Sequence, residues 1–534
     1  MPKPPTKKRS SRKKKKIVKA PFIRPSEEEL NNKIWAGIAC FIIGYILVFV
    51  LKSIDFIGWL LVLFGFFQST NAFLLKYNFA QPFLVPYLFT MIKTKKFIDF
   101  IHFIATKFAK ALEVISLIGS ILGFGLVAVD YWFARKMGGV KRIVVLIVSA
   151  IALGLFFYFT CSILFAVPAL APLFIPCLIG FVFLGFGGMS IVMLLGYGLI
   201  SLGGLFVEKQ MCPAVAPVLP GVPIPGFGIV IPLVGWISLF IILVIHELSH
   251  GVLMSYYKEK INSVGLILAG LVPIGAFVEQ EDATFDKLED KKALLVLSAG
   301  SASNLLLIPI SIILLIAFSF VVSPLAQEVV NAQNQAYSGV MVQEINDSVS
   351  LCGVDYNSPA KGKLFEGDII KQVNGVDVNS TQIIQKGVLS ANPDVNFLVS
   401  RKEINSGEFR DISVTLTPVV FEDMNLKKIG VAFALIPTGI DIPIHLQISG
   451  FIISNINTIL ILLLIISFAA GTFNYLPSEP FDGGKMAKIM LEPYVKFMKF
   501  KNKKESEKFI GRIFIWLLLL SLALNSIPYL TMIF

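Results

Sequence analysis

Residues 230–250 read VIPLVGWISLFIILVIHELSH. The stretch from Val230 to Ile245 carries no charge, and His246-Glu247-Leu248-Ser249-His250 follows it directly. Positions four apart share one face of a helix, so His246 and His250 can point at a single metal ion. Neutral imidazoles suit zinc, and Glu247 stands where a general base would activate water. Two histidines and a carboxylate at membrane depth are costly, and such groups mark functional sites.

The rest of the chain explains the apolar setting. Of 534 residues, 55% are hydrophobic and 15% charged. Runs long enough to cross a bilayer lie near 34–51, 113–133, 143–206, 230–257, 292–322, 446–468 and 509–534. The segment 54–75 is a further candidate, weakened by Gln68, Ser69 and Asn71. The run 143–206 is long enough for two or three spans. A polytopic α-helical membrane protein of roughly eight to ten spans is expected. Phe97 to Leu112 has the stripe of an interfacial amphipathic helix, with Asp99, His102, Thr106 and Lys110 together.

The net charge of +12 comes from one place. Residues 1–25 hold eleven Lys or Arg and no acid, which leaves 36 basic against 35 acidic residues elsewhere. A basic arm near anionic lipid also favours a cytosolic N-terminus. No aromatic residue interrupts it before Phe22, so no nucleic-acid partner is expected. The five cysteines, Cys40, Cys161, Cys177, Cys212 and Cys352, form no CxxC pair and no visible disulfide framework.

Zinc needs a third protein ligand. Asp482 lies in Asn474-Tyr475-Leu476-Pro477-Ser478-Glu479-Pro480-Phe481-Asp482-Gly483-Gly484, where two prolines break a helix and the glycines permit an unusual backbone. Broken helices at membrane depth occur where they line a cavity. Glu479 competes as a ligand, and His445, just before a span, is a weaker candidate. Residues 261–283 are apolar but punctuated by Gly265, Gly270, Pro273 and Gly275, which suggests a re-entrant segment. Between 336 and 420 charge rises, apolar positions alternate and turn signals recur, so a small soluble domain is inserted between two spans.

These motifs resemble the site-2 protease family of intramembrane zinc metalloproteases. His246-Glu247-x-x-His250 is one match, and Asn474-x-x-Pro477-x-x-Pro480-x-Asp482-Gly483 is similar to the family's second signature. Ala299-Gly300-Ser301-Ala302-Ser303-Asn304 resembles a motif of the next core helix, with Ser301 where proline is usual. The insert resembles a PDZ domain, an α+β fold. In it Ser338-Gly339-Val340-Met341-Val342 looks like the peptide-accepting edge, and Leu364 to Ile370 with Val373-Asn374-Gly375 looks like the core. Extra residues stand around Leu351 to Asn357. The resemblance covers about 213–534 and does not account for 1–142.

It implies one Zn2+ per chain on His246, His250 and Asp482, with Glu247 as catalytic base and acid. Asn474 and Asn304 would hold substrate backbone or steady the transition state. Gly275-Ala276-Phe277-Val278 resembles the strand that pairs with an unwound substrate helix, which makes Gly275 and Phe277 substrate-binding candidates. The implied partners are a transmembrane protein substrate, the lipid bilayer and a peptide C-terminus at the PDZ-like domain. The organisation expected is a basic tail (1–32), N-terminal membrane helices (33–229), a first core half (230–335), the PDZ-like domain (336–425) and a second core half (426–534).

Lys258-Glu259-Lys260 and eight lysines between Lys485 and Lys508 mark cytosolic loops. The soluble insert then faces the other side, and a cytosolic N-terminus requires an odd number of spans before 230. Arg135, Lys136, Lys141 and Arg142 also look cytosolic, which this count does not explain. Two other readings stay open: a membrane zincin of another fold with a glutamate ligand on a later helix, and a catalytically silent scaffold.

Overall fold

A computed structural model describes residues 25–534 apart from 51–54, 84–87, 167–169, 207–214, 216–219, 223, 225–229, 281–286, 352–353, 379, 404–407, 422–425 and 530–534. The basic arm to residue 24, Cys212, Cys352, residues 281–283 and most of the proline-rich stretch 213–225 therefore lie outside the described residues. The chain divides into two units, Met1–Lys93 with Gly265–Gly275, and Thr94–Val264 with Ala276–Phe534. Among the described residues, nine helices are long and apolar enough to cross a membrane.

The first unit is built on a helix pair, α1 (Glu27–Tyr45) and α2 (Asp55–Lys76). Ser26 caps α1 by accepting the Glu29 N–H at 3.1 Å. The two helices pack antiparallel through glycines seven residues apart, Gly37 against Gly65 and Gly44 against Gly58. A Cβ at Gly65 would sit 2.4 Å from the Phe41 backbone nitrogen, so the backbones touch. Two of the polar residues that weakened this span in the sequence are satisfied within the pair. Gln68 donates to the Lys33 carbonyl (3.2 Å), and Ser69 donates to the Gly65 carbonyl (2.8 Å). Short strands β1 (Gln81–Pro82) and β2 (Thr90–Thr94) follow.

The segment read as re-entrant is a β-hairpin, β3 (Ile261–Ala269) and β4 (Val272–Gln280), joined by Gly270-Leu271. The sheet order is β1-β2-β3-β4, which makes β4 an edge strand among the described residues.

In the second unit, α3 (Ile98–Trp132) joins two segments that the sequence suggested were separate. The amphipathic stretch runs on without a breaker, and Ile101, Ala105 and Ala109 are buried in a cluster with Val252, Leu253 and Met254. The helix then turns back. Gly125 has φ 53° and ψ −134°, and the Trp132 indole N–H donates to Ser120 Oγ at 3.0 Å. Twelve residues of straight helix would separate those positions by about 18 Å. Residues 113–133, expected to form one span, therefore double back on themselves at Gly125. The reason is glycine at a backbone conformation that a side chain resists.

The run 143–206 resolves into α4 (Gly139–Cys161) and α5 (Phe174–Phe206). α5 reverses at Gly185 (φ 57°), so that Gly180 and Gly188 touch. The two reversals lock together. A Cβ on Gly185 would lie 2.1 Å from the Leu122 carbonyl, and one on Gly125 would lie 2.5 Å from the Val182 carbonyl.

The next helices are α6 (Gly235–Tyr256) and α7 (Asp290–Ala336). With 47 residues, α7 is about 70 Å long, more than twice the hydrocarbon thickness. Its far end leads straight into the inserted domain, at β5 (Tyr337–Ile345). There β8 (Ile369–Val373), β10 (Val395–Lys402), β11 (Phe409–Leu416) and β14 (Val431–Pro437) complete a sheet ordered β11-β10-β8-β5-β14. Val395, Phe397 and Val399 alternate inward along β10, as a half-buried strand requires. The helix α8 (Thr381–Leu389) covers the sheet with Ile384 and Val388. Arg401 holds the buried Asp368 with two bonds of 2.7 Å.

Two expectations change here. The domain runs to Pro437 rather than 425, because β14 pairs with β5 along its length. Ser338 to Val342 is consequently not an edge: β5 has β14 on one side and β8 on the other. Among the described residues the outer strands of the sheet are β11 and β14. The extra residues near 351 form a small hairpin, β6 (Ser348–Leu351) with β7 (Val354–Asn357). The chain ends with α9 (Ile444–Phe473), α10 (Asp482–Val495) and α11 (Lys503–Asn525).

The reversal at Gly125 has a measurable consequence. Single cysteines at Lys96 and Met137, in a chain cleared of its natural cysteines, should react with a membrane-impermeant thiol reagent from the same face. Labelling from opposite faces would restore a straight α3 span.

Candidate metal centre

α6 places His246 and His250 one turn apart, both buried. α9 ends at Phe473, the chain loops, and α10 begins with Asp482. The three side chains converge. His246 Nε2 and His250 Nε2 are 3.2 Å apart, and Asp482 Oδ2 lies 3.3 Å from the first and 3.2 Å from the second.

The proton arrangement shows what this triangle is suited to hold. The Val296 carbonyl can only accept, so the 2.6 Å contact places a proton on His250 Nδ1. That leaves a lone pair on Nε2. Three electron-rich atoms then face one point, and a cation relieves their repulsion. Zinc bonds of about 2.0–2.1 Å in a tetrahedron put ligand atoms roughly 3.3 Å apart, which is the size of this triangle. His246 has a similar partner. Its Nδ1 lies 3.0 Å from Asn304 Nδ2, while the buried Asn304 Oδ1 has no hydrogen-bond partner among the described residues. Amide orientation is set by the surrounding bonds. Turning this amide over would bring Oδ1 to a protonated Nδ1 and free Nε2 for a metal.

The third ligand position is held from several sides. Asn474 ends α9, and its carbonyl accepts the Gly483 N–H at 2.8 Å. Tyr475 is fully buried beside the two interlocked reversals. A Cβ on Gly123 would lie 2.3 Å from its ring, and its hydroxyl is 2.9 Å from Ser298 Oγ. Gly483 and Gly484 do not adopt positive φ, contrary to the sequence expectation. They are needed because a Cβ would strike Tyr475 O at 2.2 Å and Glu479 N at 2.4 Å. Asp482 itself sits in the first turn of α10, where the helix dipole favours a carboxylate.

At the far end of α10, the Tyr494 hydroxyl donates to Asp130, which Arg142 grips with bonds of 2.7 and 2.9 Å. Burial, and then that bond, push the Tyr494 phenol up, so it stays a donor. This network also puts Arg142 beside α10, with the lysine-rich segment that follows it.

Glu247 is half-buried, and its Oε2 accepts the Val278 N–H of β4 at 3.2 Å. Gly275 and Phe277 lie on the same strand, two residues apart and on one face. Other candidates separate from the centre. Glu479 is about half exposed and pairs with Lys488 at 2.8 Å. His445 is exposed at the start of α9, and His102 Nδ1 lies 2.5 Å from Ser255 Oγ. Among the described residues, the grouping of metal-type side chains is His246, His250 and Asp482.

Sequence reasoning missed two contacts. One is Asn304 at His246, where a role toward substrate was expected. The other is Gly300, whose Cβ would lie 2.5 Å from His250 Nε2 and 2.6 Å from His246 Nε2. The Ala299 to Asn304 motif was the available signal: it presses a small-residue face of α7 against the histidines.

A family model described as peptidase family M50 matches residues 234–520, more than half of the chain. Over 264 residues the chain is 29% identical to an uncharacterized protein of Methanocaldococcus jannaschii. That alignment takes in 48% of this chain and 57% of the relative, so the chain spans a little over half of the relative's length.

Gly300→Ala should abolish metal retention on the purified full chain, because the added methyl group would lie 2.5–2.6 Å from both histidine Nε2 atoms and crowd any ion they hold. Ser301→Ala, which removes a buried hydroxyl without a hydrogen-bond partner among the described residues, should keep it. Equal metal content in both variants, by elemental analysis, would contradict this geometry.

Proposed function

The chain belongs to peptidase family M50, and from that premise we propose that it is a zinc-dependent intramembrane endopeptidase. It would hydrolyse peptide bonds in or near the transmembrane segments of other membrane proteins. The observation that carries this reading is the triangle of His246 Nε2, His250 Nε2 and Asp482 Oδ2 on helices of membrane-spanning length.

Zinc held there would supply a Lewis acid that makes water nucleophilic at neutral pH. The chain's own groups would do the rest. Glu247 takes the proton from the attacking water and returns it to the leaving nitrogen. Its Oε2 is held by the Val278 N–H, which leaves Oε1 for the water. A peptide bond inside a helix is shielded, so a substrate must be extended before attack. The β4 edge, with Gly275 and Phe277, supplies strand pairing for that extended segment, and the same strand reaches the base. Asn474, whose carbonyl accepts the Gly483 N–H next to Asp482, would hold substrate backbone from the metal side. Asn304 acts through His246 as a positioning residue.

Topology supports hydrolysis on the cytosolic side. With α3 and α5 folded back, three of the candidate spans before residue 230 run straight through: α1, α2 and α4. That odd number carries a cytosolic N-terminus to an extracytosolic start of α6. It also puts both ends of α3 in the cytosol, where Arg135, Lys136, Lys141 and Arg142 belong. The inserted domain then lies outside, and we read it as PDZ-like. Its peptide C-terminus would be taken by the open edge of β14 beside α8.

Wild-type protein should hold about one zinc per chain, and His246→Ala should lose it. Glu247→Gln should keep zinc while cleavage of a reconstituted single-span substrate falls by roughly 10³-fold or more. Undiminished cleavage by Glu247→Gln would sink the mechanism. Zinc lost from Glu479→Ala but kept in Asp482→Ala would move the site.

A further inference from the structure

We propose that Tyr494 and Asp130 are positioning residues for the metal centre: their hydrogen bond fixes α10 along its axis and so sets how firmly Asp482 serves as the third ligand. The proposal rests on the reading of Asp482 as a zinc ligand. It gives a task to Asp130, which lies outside the matched region 234–520. All the residues involved belong to the second unit.

Asp482 opens α10 and Tyr494 lies in its last turn, so about 18 Å of one helix joins them. The residues α10 buries are Met486, Ala487 and Met490, in one cluster with Leu294 and Leu297 of α7. Methionine is unbranched and adapts to its surroundings, so this face supplies burial with little resistance to sliding. A hydrogen bond is directional and supplies what the face lacks. Among the described residues, and Asp482 apart, the side-chain hydrogen bond that ties α10 to a distant element runs from the Tyr494 hydroxyl to Asp130 Oδ2.

The receiving end is stiff. Asp130 sits on the arm of α3 that returns after Gly125, and its side chain is 4% exposed. Arg142, at the start of α4, holds it in a fork, Nε to Oδ1 at 2.7 Å and Nη2 to Oδ2 at 2.9 Å. Such a two-point grip fixes direction as well as charge. A buried ion pair adds little stability over an apolar pair of similar size, and fixing register is its best-attested use. Here the element held in register is α10. The ligand triangle has edges of 3.2–3.3 Å. Zinc bonds of about 2.0–2.2 Å leave little slack, so a shift of about 1 Å along the helix stretches the Asp482 bond beyond its range.

Zinc affinity of the full chain in lipid nanodiscs, read by competition with a chromophoric chelator, tests this. The visible spectrum of the Co2+ form, which reports ligand geometry, is recorded alongside. Tyr494→Phe removes the hydrogen bond and keeps the ring. It should weaken zinc binding about tenfold and change the Co2+ spectrum, with hydrogen exchange in α6 and α7 unaltered. Asp130→Leu with Arg142→Met removes the anchor without leaving a bare charge, and should match Tyr494→Phe in both readouts. Adding Tyr494→Phe to that pair should weaken binding no further, because the same link is already broken. Wild-type affinity in Tyr494→Phe would overturn the proposal, as would faster exchange throughout α6 and α7, or losses that add across the three changes. If the anchor-free pair does not fold, Tyr494→Phe alone decides. The reading of Asp482 fails separately: wild-type zinc affinity in Asp482→Ala would remove the ligand itself.

Discussion

Three electron-rich atoms held 3.2–3.3 Å apart in a poorly solvated interior are the constraint on which this structure turns. Left alone they repel, and with both imidazoles buried they are weakly screened. The site exists because neighbouring elements fix each atom: the Val296 carbonyl orients one imidazole, Asn304 abuts the other, and the start of α10 holds the carboxylate. A methyl group's worth of space decides whether a cation fits, which is why α7 presents glycine at position 300.

Part of the support for Asp482 comes from chain that the family match does not cover. Tyr475 rests on Gly123, beside the point where α3 and α5 reverse against each other. Neither reversal could form with a side chain at Gly125 or Gly185, since each backbone presses on the other within about van der Waals distance. The loop that delivers the carboxylate is thus packed on two helical turns that end inside the protein. Asp130, Arg142 and Tyr494 hold the opposite end of α10. Both anchors are apolar contact or fully paired charge, the two forms of interaction that survive away from water.

How much of this was legible follows from the kind of signal. His246, Glu247 and His250 are a local pattern on one helix, so sequence spacing carries their geometry. Asp482 could be found as a carboxylate on a broken helix. Its preference over Glu479 could not, because it depends on Lys488 lying where it neutralises Glu479. The reversals were hidden because hydropathy records how apolar a run is, and a turned-back helix is as apolar as a straight one. The glycines at 185, 187 and 188 are visible in the sequence, but glycine in an apolar run marks close packing as readily as a reversal. The inserted domain was recognised from alternation and turns. Its open edge was misplaced by one strand, since pairing between residues about 90 apart leaves no local mark.

The polar residues of α2 make the same point from the other side. Gln68, Ser69 and Asn71 lowered the hydropathy of residues 54–75 and argued against a span there. Each nevertheless finds a partner within the first unit. A bilayer does not exclude polar side chains; it excludes unpaired ones. The distinction governs more than one helix. His246, His250, Glu247 and Asp482 all carry groups that hydrocarbon rejects. They can stand there only because carbonyls, amides and N–H groups from separate parts of the chain meet them. Asn71 shows the economy of this arrangement: one buried amide has its donor and its acceptor met by chain of the same unit, at Leu88, Thr90 and Gly270.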